Sequence, residues 1–152
     1  LLVKKICELI ESGADFETVV EKAELYSRHT HVVFALSSFN NLVKNGRMSK
    51  IVGFVANKLG FWGIGIGSEQ GTIEIKQKIR GSKKALDAII EDMKERGYNC
   101  GKVVISHCRN AEFAESVKSA IQSVWDKAEV KIVHARGLCS YYAEKGGLII
   151  GF

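Results

Sequence analysis

No proline occurs in the 152 residues. Turns and helix ends must therefore be made by small polar residues and by the 15 glycines, which become the punctuation to read. No two of the four cysteines, Cys7, Cys100, Cys108 and Cys139, stand in C-x-x-C spacing, which removes the usual zinc and dithiol motifs. Scattered reduced thiols in a mixed α/β chain fit a cytoplasmic protein. No apolar run approaches the roughly 18 residues that span a bilayer. Basic residues exceed acidic ones by only 22 to 17, a net charge of +5 spread over many helix faces. The densest basic stretch, Lys76 to Lys84, carries no interleaved aromatics, so a nucleic-acid partner is not expected. There is no low-complexity tract, internal repeat, Walker-type glycine loop or pair of carboxylates placed for magnesium. His29, His31, His107 and His134 lack metal spacing, and no metal or cofactor is expected.

What is present is ordinary soluble composition, 46% apolar and 26% charged, in a chain long enough for one domain with a real core. The opening residues, LLVKKICELIESG, read as an amphipathic helix rather than a signal peptide. The chain starts inside that helix and without methionine, so it reads as a piece of something longer.

Helices are predicted over 1–12 and 16–28, a strand over 31–36, and two short helices over 39–45 and 49–59. Phe61 to Ile66 alternates glycine with bulk, as a strand whose glycine face meets another surface closely. A hairpin partner follows over 72–79, with Ile73, Ile75, Gln77 and Ile79 on one face. Gly81-Ser82 opens a helix to residue 96, closed by Gly97. Strands over 102–107, 129–134 and 148–152 alternate with a helix capped by Asn110 and a short helix or turn at 138–145. The expected fold is α/β: a two-layer domain with a mixed sheet of about six strands covered by helices, parallel at helical crossovers and antiparallel at the hairpin.

Three segments sit where chemistry collects, at strand ends and helix starts. Asn45-Gly46 stops a helix and leaves Arg47 on a tight link before Ser49, which can cap the next helix. An always-charged fork on a constrained link can be aimed at an anion, or simply be solvated. Arg80, Lys83 and Lys84 surround a helix start, where an anion can settle on free amides. The third segment runs from Gly137 to Gly147 and contains Tyr142. His107 and Cys108 are adjacent on a strand, so their side chains face opposite ways and do not form a nucleophile–base pair.

In order and spacing these segments resemble the DegV family of bacterial fatty-acid-binding proteins, across essentially the whole chain. The family's L-x-x-L-x-x-G-G-R-I-S stands here as Phe39-Asn40-Asn41-Leu42-Val43-Lys44-Asn45-Gly46-Arg47-Met48-Ser49. Its K-V-R-G-x-K-K-A-L stands here as Lys78-Ile79-Arg80-Gly81-Ser82-Lys83-Lys84-Ala85-Leu86. The resemblance implies a single domain over 1–152, the C-terminal half of a two-domain carrier whose N-terminal domain this chain lacks. It implies a fold shared with dihydroxyacetone kinases. It further implies a long-chain fatty acid buried between the domains, its carboxylate presented to a separate fatty acid kinase in phospholipid synthesis. The carrier itself would turn nothing over.

On that reading Arg47 faces the carboxylate, and Arg80, with Lys83 and Lys84, docks the kinase. Ile51, Val52, Phe54, Val55, Leu59, Phe61 and Trp62 would line the acyl chain, which gains about 0.8 kcal/mol per buried methylene. Where many members have G-T-H-x-G-P-G, this chain places Tyr142 at the histidine and Lys145 near the proline. A phenol can donate one hydrogen bond to a carboxylate but brings no positive charge. No membrane span is expected, though transient membrane contact fits a lipid carrier. Two other readings stay open: a kinase-related catalytic domain, and a protein-interaction domain without lipid.

Overall fold

The computed structural model describes residues 1–47, 60–68 and 73–152. The predicted helix over 49–59 lies outside them, as do Ile51, Val52, Phe54, Val55 and Leu59. In chain order the elements are α1 (Leu2–Glu11), α2 (Phe16–Arg28), β1 (Val32–Leu36), α3 (Asn40–Lys44), β2 (Phe61–Gly67), β3 (Ile73–Arg80), α4 (Ser82–Glu95), β4 (Lys102–His107), α5 (Ala111–Val124), β5 (Glu129–His134), α6 (Gly137–Ala143) and β6 (Leu148–Gly151).

The six strands form one mixed sheet in the order β3-β2-β1-β6-β4-β5. Only β4 and β5, joined through α5, run parallel; every other neighbouring pair is antiparallel. The final strand, β6, is interior, inserted between β1 and β4. Its Leu148 and Ile150 are fully buried.

Strand alternation divides the apolar residues between two faces. Val33 and Ala35 of β1, Ile64 of β2, Val103 and Ile105 of β4, and Leu148 and Ile150 of β6 share a core with α4 and α5, which contribute Ala85, Ile89, Met93, Phe113, Val117 and Ile121. Among the described residues the opposite face has lighter cover. There Phe34 and Leu36 cluster with Phe39, Leu42 and Ala143 of the α3 and α6 region.

Two sequence expectations need correction. Ile73 to Ile79 does not keep one face, because β3 carries a bulge: Ile64 pairs with Gln77 and the next residue, Gly65, with Ile75. Lys76 is the extra residue, and a bulge reverses the alternation beyond it. Ile73 and Ile75 therefore join the lightly covered face, while Ile79 joins the main core. Asn110 does occupy the N-cap of α5, but its side chain makes no cap. Its Nδ2 instead donates to the Gly146 carbonyl at 2.7 Å.

The α1–α2 pair stands apart. Asp15 caps α2 by accepting the Thr18 amide at 2.8 Å, yet α2 buries no residue. Lys102 Nζ, 2.7 Å from Glu8 Oε1, ties α1 to β4. No helix among the described residues is long and apolar enough to cross a membrane.

Candidate functional site

The candidate site is built around α3. The helix is short because Gly46 takes a left-handed φ of +66° and turns the chain back. The Gly46 amide bonds the Val43 carbonyl at 3.1 Å and the Arg47 amide bonds the Leu42 carbonyl at 2.8 Å. This is the paired closure of a Schellman end, and the apolar residue inside it, Leu42, is fully buried. The backbone of Arg47 is thus fixed to the core while its side chain stays exposed.

The other end of α3 begins at Phe39, which has no side-chain acceptor to offer the free amides. Glu144, just after α6, supplies one. Its Oε1 accepts the Asn41 amide at 2.8 Å, and its Oε2 accepts Ser38 Oγ at 2.6 Å and Asn40 Nδ2 at 3.4 Å. Glu144 does this from a left-handed φ of +52°. Asn41 Nδ2 donates to the Tyr141 carbonyl at 2.8 Å, and Asn45 Nδ2 to the Tyr141 hydroxyl at 2.9 Å. Glu144 and Tyr141 are the site residues that sequence reading missed. The available signal was a helix start occupied by phenylalanine, which requires a cap from elsewhere.

Below α3, the glycine face of β2 is filled by aromatic rings. A Cβ on Gly63 would overlap the Phe39 ring, and one on Gly65 would overlap Phe34. Half-buried Tyr142 packs against the same cluster, with Ile73, Ile75, Cys108 and Ile149. Its ring lies 5.2 Å from that of Tyr141 in an edge-on arrangement. Phe61 and Arg80 are cross-strand partners and share this face.

Arg47 and Tyr142 therefore belong to two elements stitched over one sheet face, and Phe61 and Arg80 mark the far end of that face. Trp62 is placed elsewhere, in the main core with its ring 4.6 Å from Phe113. Lys83 and Lys84 are exposed on the first turn of α4, in the layer that covers the opposite face.

His107 and Cys108 do face opposite ways. Cys108 packs on the second cluster. His107 is buried, accepts the Asn110 amide at Nδ1 at 3.1 Å, and lies 4.5 Å from the His134 ring. Burial, and then the neighbouring His134, push its pKa below the usual histidine value. Among the described residues no group of three His, Cys, Asp or Glu could hold a metal ion.

A six-stranded mixed sheet in this order, with a short helix ending at Arg47 clamped by Glu144, defines the α/β class of the domain. The DegV family model matches residues 1–152, and the chain belongs to that family. A DegV domain-containing protein of Streptococcus pyogenes serotype M1 is 43% identical over 152 residues, covering 100% of this chain and 54% of the relative. The Fatty Acid Kinase (Fak) B3 protein of Streptococcus pneumoniae, solved loaded with linoleic acid, superposes with a TM-score of 0.96 at 40% identity, over 99% of this chain and 54% of that one. A DegV family protein from Eubacterium eligens, loaded with heptadecanoic acid, gives 0.95 at 36% identity over 99% of this chain and 54% of that one. The chain spans about half the length of the curated relatives it matches.

Proposed function

We propose that this chain is the C-terminal half of a cytoplasmic fatty-acid carrier. It forms one wall of a site for a long-chain fatty acid and presents the carboxylate to a separate fatty acid kinase. It performs no chemistry of its own. The observation that carries this reading is the similarity to the Streptococcus pneumoniae Fak B3 protein loaded with linoleic acid.

The geometry around α3 supports the roles assigned. Arg47 is the head-group residue: its backbone is locked by the Schellman closure, which fixes the point from which its charged fork reaches out. Tyr142, in the apolar cluster beside α3, supplies a neutral donor where many family members carry histidine. The sheet face that carries Phe34, Phe39, Ile73 and Ile75 continues as an apolar wall to Phe61. Ile51, Val52, Phe54, Val55 and Leu59, outside the described residues, are assigned to the acyl chain with it. Trp62 acts from beneath, by holding β2 on the main core. Arg80 docks the kinase from the same face, with Lys83 and Lys84 adding charge at the adjoining helix start.

Mass spectrometry of lipid released from the full-length protein tests this. A single long acyl chain is expected in stoichiometric amount. Arg47→Ala is expected to weaken fatty-acid affinity about ten- to a hundred-fold, the worth of one charge-assisted hydrogen-bonded pair. Acyl phosphate is expected with ATP only when a fatty acid kinase is added. Preparations that never carry an acyl chain overturn the reading; turnover without the kinase overturns its carrier part.

A further inference from the structure

The parallel pair β4–β5 ends in a cleft of about 590 Å3, lined by His107, Arg109, His134, Ser140, Tyr141 and Lys145, among others. The carboxyl ends of parallel strands are where α/β sheets most often take ligands. None of the lining residues is acidic. Arg109 and Lys145 form no ion pair among the described residues. The carboxylate next to Lys145 in the chain, Glu144, is spent on Ser38 and Asn41.

The donors line one cleft. His107 accepts the Asn110 amide at Nδ1, so in its neutral form the proton sits on Nε2. No buried side-chain nitrogen or oxygen among the described residues lacks a partner, and Nε2 makes no bond; this edge of an otherwise buried ring therefore opens to the cleft. His134 lies beside it in register. Tyr141 accepts from Asn45, which leaves its own O–H to donate. Ser140 donates to Gly137 and contributes no proton. Arg109 holds its place from a left-handed φ of +52°, a conformation that side chains bearing a Cβ rarely adopt and that clusters at binding sites.

We propose that this cleft binds a phosphoryl group, with Arg109 and Lys145 neutralising it and His107, His134 and Tyr141 donating to its oxygens. Two cationic side chains and three further donors exceed what the two oxygens of a carboxylate can use, but match the three peripheral oxygens and double charge of a phosphate. The cleft adjoins the α3 clamp through Tyr141, does not include Arg47, and does not depend on bound lipid.

Histidine ring resonances of the full-length protein, followed while inorganic phosphate is added at constant ionic strength, test the proposal. Signals of His107 and His134, assigned through His134→Gln, are expected to shift saturably while those of His29 and His31 stay still. Phenyl phosphate in a parallel titration separates free phosphate from a phosphorylated organic ligand: tighter binding assigns the latter, equal or weaker binding the former. The double variant Arg109→Gly, Lys145→Gln is expected to bind phosphate at least tenfold more weakly. Glycine suits the φ at 109 and residue 145 is exposed, so the fold survives. Arg47→Ala is expected to leave the phosphate titration unchanged. Shifts common to all four histidines, acetate binding as well as phosphate, or a double variant that binds like the parent overturns the proposal, whatever the lipid experiments show.

Discussion

Gly63→Ala is the sharpest probe of how the sheet positions Arg47. Gly63 sits in β2 with ordinary extended backbone, so alanine by itself should gain about 0.5–1 kcal/mol from reduced chain entropy. Packing opposes this. The added methyl would land inside the Phe39 ring, and Phe39, 1% exposed at the N-cap of α3, must shift within its packed cluster to make room. Overpacking of this kind costs about 1–3 kcal/mol, so the net effect is destabilising. In a chain of this size each kcal/mol lowers the melting temperature by about 2–4 °C. Chemical denaturation reads the stability directly. The double variant Gly63→Ala, Phe39→Leu should recover part of the loss made by the two single changes, because the smaller side chain leaves room for the methyl. Fatty-acid affinity should fall with Gly63→Ala as α3 is lifted, since Arg47 hangs from that helix. A Gly63→Ala protein as stable as the parent, or two changes that simply add, refutes the reasoning.

Other consequences are simpler. Glu144→Gln keeps an acceptor for the Asn41 amide but removes the charge at the start of α3; a loss of about 1 kcal/mol is expected in thermal unfolding. His31 and His107 are both held below 6.5, chiefly by burial, so the unfolded chain takes up protons first as pH falls. Stability should be full above about 6.5 and decline below it, with a shallower decline in His31→Gln; a flat denaturation midpoint between pH 7.5 and pH 5.5 would contradict this. Burial raises the Tyr98 phenol from 10.0 to about 12. An absorbance titration should show a late ionisation there that Tyr98→Phe removes, and its stabilising effect should be complete below 10 and lost as pH climbs beyond it.

Much of this architecture was legible because local patterns are short-range physics. Glycine at 46 ends α3 since few other residues tolerate its φ, and the sequence Phe61 to Gly67 reads as a strand closely approached on one face for the same steric reason. The opposite facing of His107 and Cys108 follows from the pleat alone. The two arginine segments, by their spacing, pointed to the DegV family before any contact was known. What reading along the chain could not supply are features set by distant partners. The bulge at Lys76 depends on how β3 pairs with β2. The Asn110 side chain turns away from its helix because the Gly146 carbonyl is within reach, 36 positions away. Trp62 lies under the sheet because Phe113 is there to meet it.

The sequence alone determined the elements, their order and the family, because periodicity, helix ends and motif spacing are properties of neighbouring residues. Only the tertiary structure decided which residues meet. It clamped α3 between Glu144 and the glycine face of β2, set Tyr141 rather than Tyr142 against Asn45, and brought His107, Arg109, His134 and Lys145 around one cleft. Those contacts join residues far apart in the chain. Burial energy and hydrogen-bond satisfaction, which act across space, select them.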